Sequence, residues 1–249
     1  MKKGIVFTEG RGDETPAHLP IDRAFQGVTD IQPLLQNAFT SLFEQEIPDL
    51  KTIFLFEMNG GWKSALFAFV KALSSERESM KCLLIDYSDI PGNNLENKRI
   101  SIQSVLKEKS QNSDLIPLLD LSQYYGEIYF MVQMMESWIL SQPHVIEQCF
   151  GNFLPEIKKV KFEKKKAKQL SKEVQDIQKP DKILSDLLGY FEKPNKHGLP
   201  RTFKYEKGGK VKLAYEMLSK LSLKKLMEDF EDVRNLVAKI RACLGIFDG

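Results

Sequence analysis

Along the first half of the chain, short apolar runs with the period of a strand alternate with longer stretches at helical period. Gly4 to Thr8 is a β-branched and aromatic run that stops at Glu9-Gly10-Arg11-Gly12, the pattern of a strand followed by a loop. From about Thr29 to Phe43 the period lengthens. Ile31, Leu34, Leu35, Ala38, Phe39, Leu42 and Phe43 fall at helical spacing, with Pro33 acceptable in the first turn. Lys51 to Glu57 reads as a second buried strand, and Asn59-Gly60-Gly61 breaks it before Ser64 to Ser74 resumes a helical pattern. Lys81 to Ile85 is a third strand, ending in Asp86-Tyr87-Ser88-Asp89 and the breaker Ile90-Pro91-Gly92-Asn93-Asn94. A helix is expected near Lys98 to Lys109, then a fourth strand over Glu127 to Gln133 that runs into a helix carrying Glu136 and Trp138.

Strands alternating with helices at this spacing predict βαβ units and a mostly parallel sheet flanked by helices, an α/β fold. Binding sites of such sheets form at the carboxyl ends of the strands. Glu9, the Asn59-Gly60-Gly61 loop and the segment Asp86 to Asp89 all fall at those ends. Beyond residue 150 the pattern is mainly helical. Glu156 to Lys179 is lysine-rich, Ile183 to Phe191 is amphipathic, Lys193 to Pro200 is a breaker, and Lys212 to Leu221 and Leu226 to Leu244 close the chain as helices. The expected organisation is an α/β domain over residues 1–150, with a basic, mainly helical C-terminal extension over 151–249 packed on it.

Composition narrows the class. A chain of 249 residues can bury a full core, and 42% hydrophobic with 28% charged residues argues against disorder and against a membrane protein. The apolar runs are too short to span a bilayer, and the N-terminal one is too brief for a signal-peptide core, so a cytoplasmic location is expected. The net charge of +2 conceals an asymmetry. Residues 1–150 carry 13 Lys+Arg against 20 Asp+Glu, and residues 151–249 carry 23 against 14. One reading is a polyanion contacted by the basic half, centred on Lys164, Lys165 and Lys166, with a metal site in the acidic half. The other is a pair of ordinary solvated surfaces.

The three cysteines, Cys82, Cys149 and Cys243, form no Cys-x-x-Cys pair, which excludes a zinc ribbon and reads as buried free thiols. With three scattered histidines, any metal would be held mainly by oxygen. Glu9, Asp13 and Glu14 follow the first strand, and Asp86 and Asp89 the third. In a parallel sheet these loops can converge, and hard oxygen donors in that number suit magnesium, or manganese, better than zinc. The alternative is that these acids cap helix N-termini.

Phe7-Thr8-Glu9-Gly10, Leu84-Ile85-Asp86-Tyr87-Ser88-Asp89, Val132-Gln133-Met134-Met135-Glu136-Ser137-Trp138-Ile139-Leu140 and Tyr205-Glu206-Lys207-Gly208-Gly209 together resemble a bacterial TOPRIM-like family filed as a domain of unknown function. The resemblance spans most of the chain, and the Met-Glu-x-Trp segment is its most specific element. It implies a Rossmann-like parallel sheet and magnesium-dependent phosphodiester chemistry, as in topoisomerases, primases and nucleases. It also implies nucleic acid as substrate and an ATPase partner in bacterial antiphage defence. By position, Glu9 takes the role of the glutamate after the first strand, Asp86 that of the leading aspartate, and Asp13 that of the extra acid of nuclease-type members. Ser88 stands where the second acid of Asp-x-Asp belongs, and Asp89 lies one residue late. Either of the two compensates, or the site holds a single ion. Glu136 either completes the ligand shell or packs beside Trp138. Lys207 either balances charge on phosphate or is an exposed lysine.

Asn59-Gly60-Gly61-Trp62-Lys63-Ser64 lies between a strand and a helix and ends in Lys-Ser, but Trp62 stands where a P-loop requires glycine. Gly60, Gly61, Lys63 and Ser64 are still placed to offer backbone N–H groups to a phosphate at the helix start. No Gly-x-Ser-x-Gly elbow supports a hydrolase triad. The leading expectation is therefore a metal-dependent nuclease or other phosphodiester-acting enzyme. A non-catalytic nucleic-acid or partner-binding module that keeps the fold with a degraded site is the main alternative, and an enzyme acting on free nucleotides is a third.

Overall fold

A computed structural model describes residues 4–9, 31–74, 79–87, 90, 94–112, 116–131, 135–170, 177, 179–194, 200–203 and 210–246. Four strands, β1 (Gly4–Glu9), β2 (Phe54–Asn59), β3 (Met80–Asp86) and β4 (Ile128–Met131), form one sheet in the order β2-β1-β3-β4. Every pairing in it is parallel. The helices between the strands are α1 (Ile31–Glu44), the single turn α2 (Leu50–Ile53), α3 (Trp62–Leu73) and α4 (Leu95–Gln111). The α/β reading with a parallel sheet thus holds for this region.

The second strand starts later than its apolar run suggests. Leu50 to Ile53 coils into α2, and only from Phe54 does the pattern alternate, with Phe54, Phe56 and Met58 buried and Leu55, Glu57 and Asn59 half-buried. That alternation is the mark of an edge strand, whereas the near-continuous burial of Cys82 to Ile85 marks a central one. At the start of β1 only glycine fits, because a Cβ on Gly4 would overlap the ring of Phe54 on the neighbouring strand.

Side chains alternate across the sheet and seed two buried clusters. On one face Phe7, Leu83, Ile85 and Phe130 pack with Leu66 and Phe69 of α3 and Ile102 and Leu106 of α4. On the other, Val6, Phe56, Leu84 and Tyr129 meet Phe39 and Phe43 of α1, and this cluster continues into the rest of the chain. It takes in Trp138 of α5 (Met135–Ser141), Phe150 of α6 (His144–Phe150), Phe162 of α7 (Glu156–Gln169) and Leu184 of α8 (Pro180–Leu188). It ends on Met217 of α9 (Lys210–Leu218), Leu226 of α10 (Leu223–Asp229) and Ile240 of α11 (Glu231–Leu244).

Two features of the C-terminal part depart from the sequence reading. The breaker segment is flanked by a small antiparallel pair, β5 (Glu192–Pro194) and β6 (Pro200–Thr202). The last helix is two, divided at Phe230, with the Ser222 hydroxyl accepting from Lys225 N–H at 3.3 Å to start α10. The turn between α9 and α10 is clamped by the amides of Gln45 and Gln142, both from the first 150 residues. Gln45 donates to Leu221 O at 2.8 Å and accepts from Leu223 N–H at 2.9 Å. Gln142 donates to Ser222 O at 3.0 Å and accepts from Ser222 N–H at 2.8 Å. Helix α11 covers the outer edge of β4, where Asp232 Oδ2 accepts from Phe130 N–H at 3.2 Å, so that an edge strand is not left open. Among the described residues no helix is long and apolar enough to cross a membrane.

Candidate functional site

The strand order places the topological switch point between β1 and β3, where ligands of doubly wound sheets bind just outside the carboxyl ends. Glu9 is the last residue of β1 and Asp86 the last of β3. The structure joins them directly: Glu9 Oε1 accepts a hydrogen bond from Asp86 N–H at 2.6 Å. Asp86 Oδ1 in turn accepts from Met135 N–H, the first residue of α5, at 3.2 Å. The aspartate therefore performs the helix-start task that the capping alternative foresaw, favourable because the first helical N–H groups have no intrahelical partner. Its expected place at the carboxyl edge beside Glu9 is observed as well.

Glu136 follows Met135 in the first turn of α5 and is only 1% exposed. Its neighbour Trp138 is fully buried against Phe39 and Phe230, with ring centroids 6.1 and 6.4 Å away. Among the described residues no group of three or more His, Cys, Asp or Glu side chains is assembled as a metal site, so Glu136 is not gathered with Glu9 and Asp86 into a three-carboxylate cluster. Asp13, Ser88, Asp89 and Lys207 lie outside the described residues. The Thr8 and Ser137 hydroxyls, next in sequence to Glu9 and Glu136, are buried and have no hydrogen-bond partner among the described residues. A buried hydroxyl without a partner costs about 1–3 kcal/mol, which makes such pairs of positions worth noting beside a site.

Lys98 is a site residue the sequence reading passed over. It is 4% exposed, and its ammonium donates to Tyr87 O at 2.7 Å and Ile90 O at 2.6 Å while lying 4.1 Å from the Tyr87 ring centroid. It thereby pins the segment just after Asp86 to α4. A signal for it exists: Lys98 sits four residues before Ile102 and eight before Leu106, on the apolar stripe of the helix. A charge in that stripe marks a buried amine with a task to perform.

Beside this corner, Asn59 of β2 is in register with Glu9. Gly61 precedes α3, accepting from Ser64 N–H and Ala65 N–H at 2.9 and 3.2 Å, and Gly60 lies before it at the end of β2. Lys63 lies over the Trp62 ring at 5.7 Å, and Trp62 is itself buried in the α3 core. The glycine loop thus adjoins the acidic pair. Within β2, burial pushes the Glu57 carboxyl above its ordinary value.

The lysine run folds as α7, and its members differ. Lys165 pairs with Asp186 at 3.0 Å, and Lys166 with Glu147 at 2.5 Å and Glu163 at 2.9 Å. Lys158 pairs with Glu192 at 2.5 Å, whereas Lys164 is exposed. The run is therefore partly neutralised by acids from α6, α7, α8 and β5. The thiols also divide: Cys82 is buried and pushed up to about 12, Cys149 is half-buried and pushed up to about 11, both chiefly by burial, and Cys243 is exposed rather than buried.

Comparison of the chain with protein-family models, with curated proteins and with solved structures gave no match. The class that the fold and this corner define is thus a four-stranded parallel α/β protein with an acidic pair at its switch point.

Proposed function

We propose that this chain is a TOPRIM-like, divalent-metal-dependent enzyme of phosphodiester chemistry, centred on Glu9 and Asp86. The observation that carries the reading is the 2.6 Å hydrogen bond from Asp86 N–H to Glu9 Oε1, which brings two carboxylate-bearing strand ends together at the switch point. Both groups are carboxylates, the donor type that a hard cation takes, and the pair would supply two of its ligands. Magnesium or manganese held there would polarise a phosphoryl oxygen and stabilise charge in an in-line displacement. The chain's own residues hold the geometry. Asp86 is fixed by β3 and by Met135 N–H, Glu9 is fixed on Asp86, and Lys98 holds the following segment. Ser64 N–H and Ala65 N–H are engaged by Gly61 O, so at the start of α3 it is the N–H groups of Trp62 and Lys63 that would orient a phosphate approaching from the β2 side.

A second reading, a binding module without turnover, is favoured by one specific feature. Both carboxylates already accept backbone hydrogen bonds, so each has a structural task that needs no metal. Isosteric amides separate the two readings, because Glu9→Gln and Asp86→Asn keep a carbonyl oxygen for the backbone donor and remove only the charge. The catalytic reading expects magnesium to raise Tm of the wild type, as a ligand that binds the folded state alone must do, and both amides to abolish that rise. Magnesium-dependent cleavage of mixed DNA and RNA substrates should fall by roughly 100-fold or more in each. If the wild type shows neither a magnesium-induced rise nor cleavage, and both amides melt below it in metal-free buffer, the pair is structural and the enzyme reading is wrong.

A further inference from the structure

We infer that the outer face of α7 and the adjoining cleft against α8 are a docking surface for an acidic segment of a partner protein that carries an apolar anchor residue. Ile157, Lys161 and Lys164 recur at i, i+4 and i+7, which lines them up along one side of the helix for about 10 Å. That row contains no acidic residue. The helix's own acids, Glu156 and Glu163, lie on the other flank, where they pair with Lys159 at 2.6 Å and Lys166 at 2.9 Å. Among the described residues, Lys161 and Lys164 take no part in the ion pairs that neutralise Lys159, Lys165 and Lys166.

Apolar surface accompanies it. Ile157 is 84% exposed and Val160 66% exposed on the same helix, although both are β-branched residues that gain by burial. Beside Ile157 and Lys161 opens a cavity of about 410 Å³, lined also by Lys158, Ser185, Asp186, Gly189 and Tyr190, in which Asp186 is paired with Lys165 and Lys158 with Glu192. It has room for one large side chain. Phosphate backbones would engage the lysines but gain nothing from an exposed isoleucine and valine, whereas an acidic amphipathic segment uses both kinds of surface. The chemistry of the row therefore favours a protein over a nucleic acid, and the inference stands independently of the metal centre.

The test is fluorescence anisotropy of the full chain with a labelled, helix-forming peptide that carries glutamates at i, i+4 and i+7 and a tryptophan one turn away. Binding is expected to weaken by roughly tenfold or more in the double variant Lys161→Glu, Lys164→Glu, and to return when the peptide glutamates are exchanged for lysines. Ile157→Asp, or serine in place of the peptide tryptophan, should each cost several-fold. All these protein positions are exposed, so Tm should not move, and a melting curve of each variant verifies it. The inference is overturned if the peptide does not bind or the charge-reversed double variant binds it equally well. It is also overturned if a single-stranded oligonucleotide or an anionic vesicle binds more tightly than the peptide and loses that binding in the same variant.

Discussion

On one face of the sheet, Phe7, Leu83, Ile85 and Phe130 are covered by α3 and α4, helices that belong to the same βαβ units as the strands. On the other face, Val6, Leu84 and Tyr129 lie under α1 and under a cluster that runs on through Phe162, Leu184, Met217 and Ile240. The first face is sealed by the local crossovers that a parallel sheet requires in any case. The second has one such crossover, α1, and is completed only when the chain returns from more than a hundred residues away, a closure that costs entropy before contacts repay it. The acidic pair sits between these two constructions. Asp86 is held through α5 on the far-reaching face, while Lys98 of α4 grips the next residues from the local one. A site gripped from both sides is placed accurately only when both faces are complete.

The strongest way to break that comparison is to remove the distant helices. A chain ending at Phe150 would leave Leu84, Tyr129 and Trp138 without their partners from α8 to α11 and would open the outer edge of β4. It should lose its near-ultraviolet circular dichroism and its cooperative melting while keeping helical signal, as compact states without fixed packing do. A sharp melting transition in the shortened chain would show that the far-reaching face is dispensable. A smaller effect is expected on the local face. Lys98→Met keeps the stem that lines the core but leaves the carbonyls of Tyr87 and Ile90 without this donor, at a cost of about 1–3 kcal/mol in urea unfolding. No loss would mean that the amine is not what holds the segment after Asp86.

The smallest effect concerns Asp232, which ties α11 to β4. Burial raises its carboxyl above the ordinary value, against a lowering by the hydrogen bond from Phe130 N–H and by Arg99, so the folded state holds the proton more tightly than the unfolded one. The cost of keeping it ionised is absent below the unfolded value of about 3.9 and grows as pH rises through the raised folded value. Asp232→Asn retains an acceptor for Phe130 N–H and removes that cost. Its Tm should match the wild type in acid and exceed it by no more than about 2–4 °C near neutral pH, measured in a pH series of melting curves. A variant that melts lower at neutral pH would show the charge itself to be needed at the β4 edge.

The parts of the fold that were legible in the sequence are those whose cause is local. Three of the four strands lie close to their expected positions because an apolar run ended by a polar loop needs no distant partner to be read. Strand β2 begins three residues later than the run from Lys51 predicts, because Leu50 to Ile53 forms a helical turn whose Thr52 and Ile53 also suit a strand. The pattern from Leu226 to Leu244 predicts one helix because Phe230 is apolar and continues the period that its extended backbone interrupts. In the sequence the lysine run is one charged block, and only packing shows that Lys165 and Lys166 are taken by Asp186 and Glu147 from neighbouring helices while Lys164 is exposed.

By itself, the order of residues determined that Glu9 and Asp86 would each end a strand at the carboxyl edge of a parallel sheet, since strand termini and side-chain period are properties of short segments. Only the tertiary structure decided that β1 and β3 are neighbours, that Glu9 accepts from Asp86 N–H, and that Met135 N–H is the partner of Asp86. It alone decided that Gln45 would clamp a turn 178 residues away and that Asp232 would cover an edge 102 residues away. The physical reason is that a hydrogen bond between distant residues depends on the register and packing of whole elements, and neither leaves a periodic trace in the sequence around it.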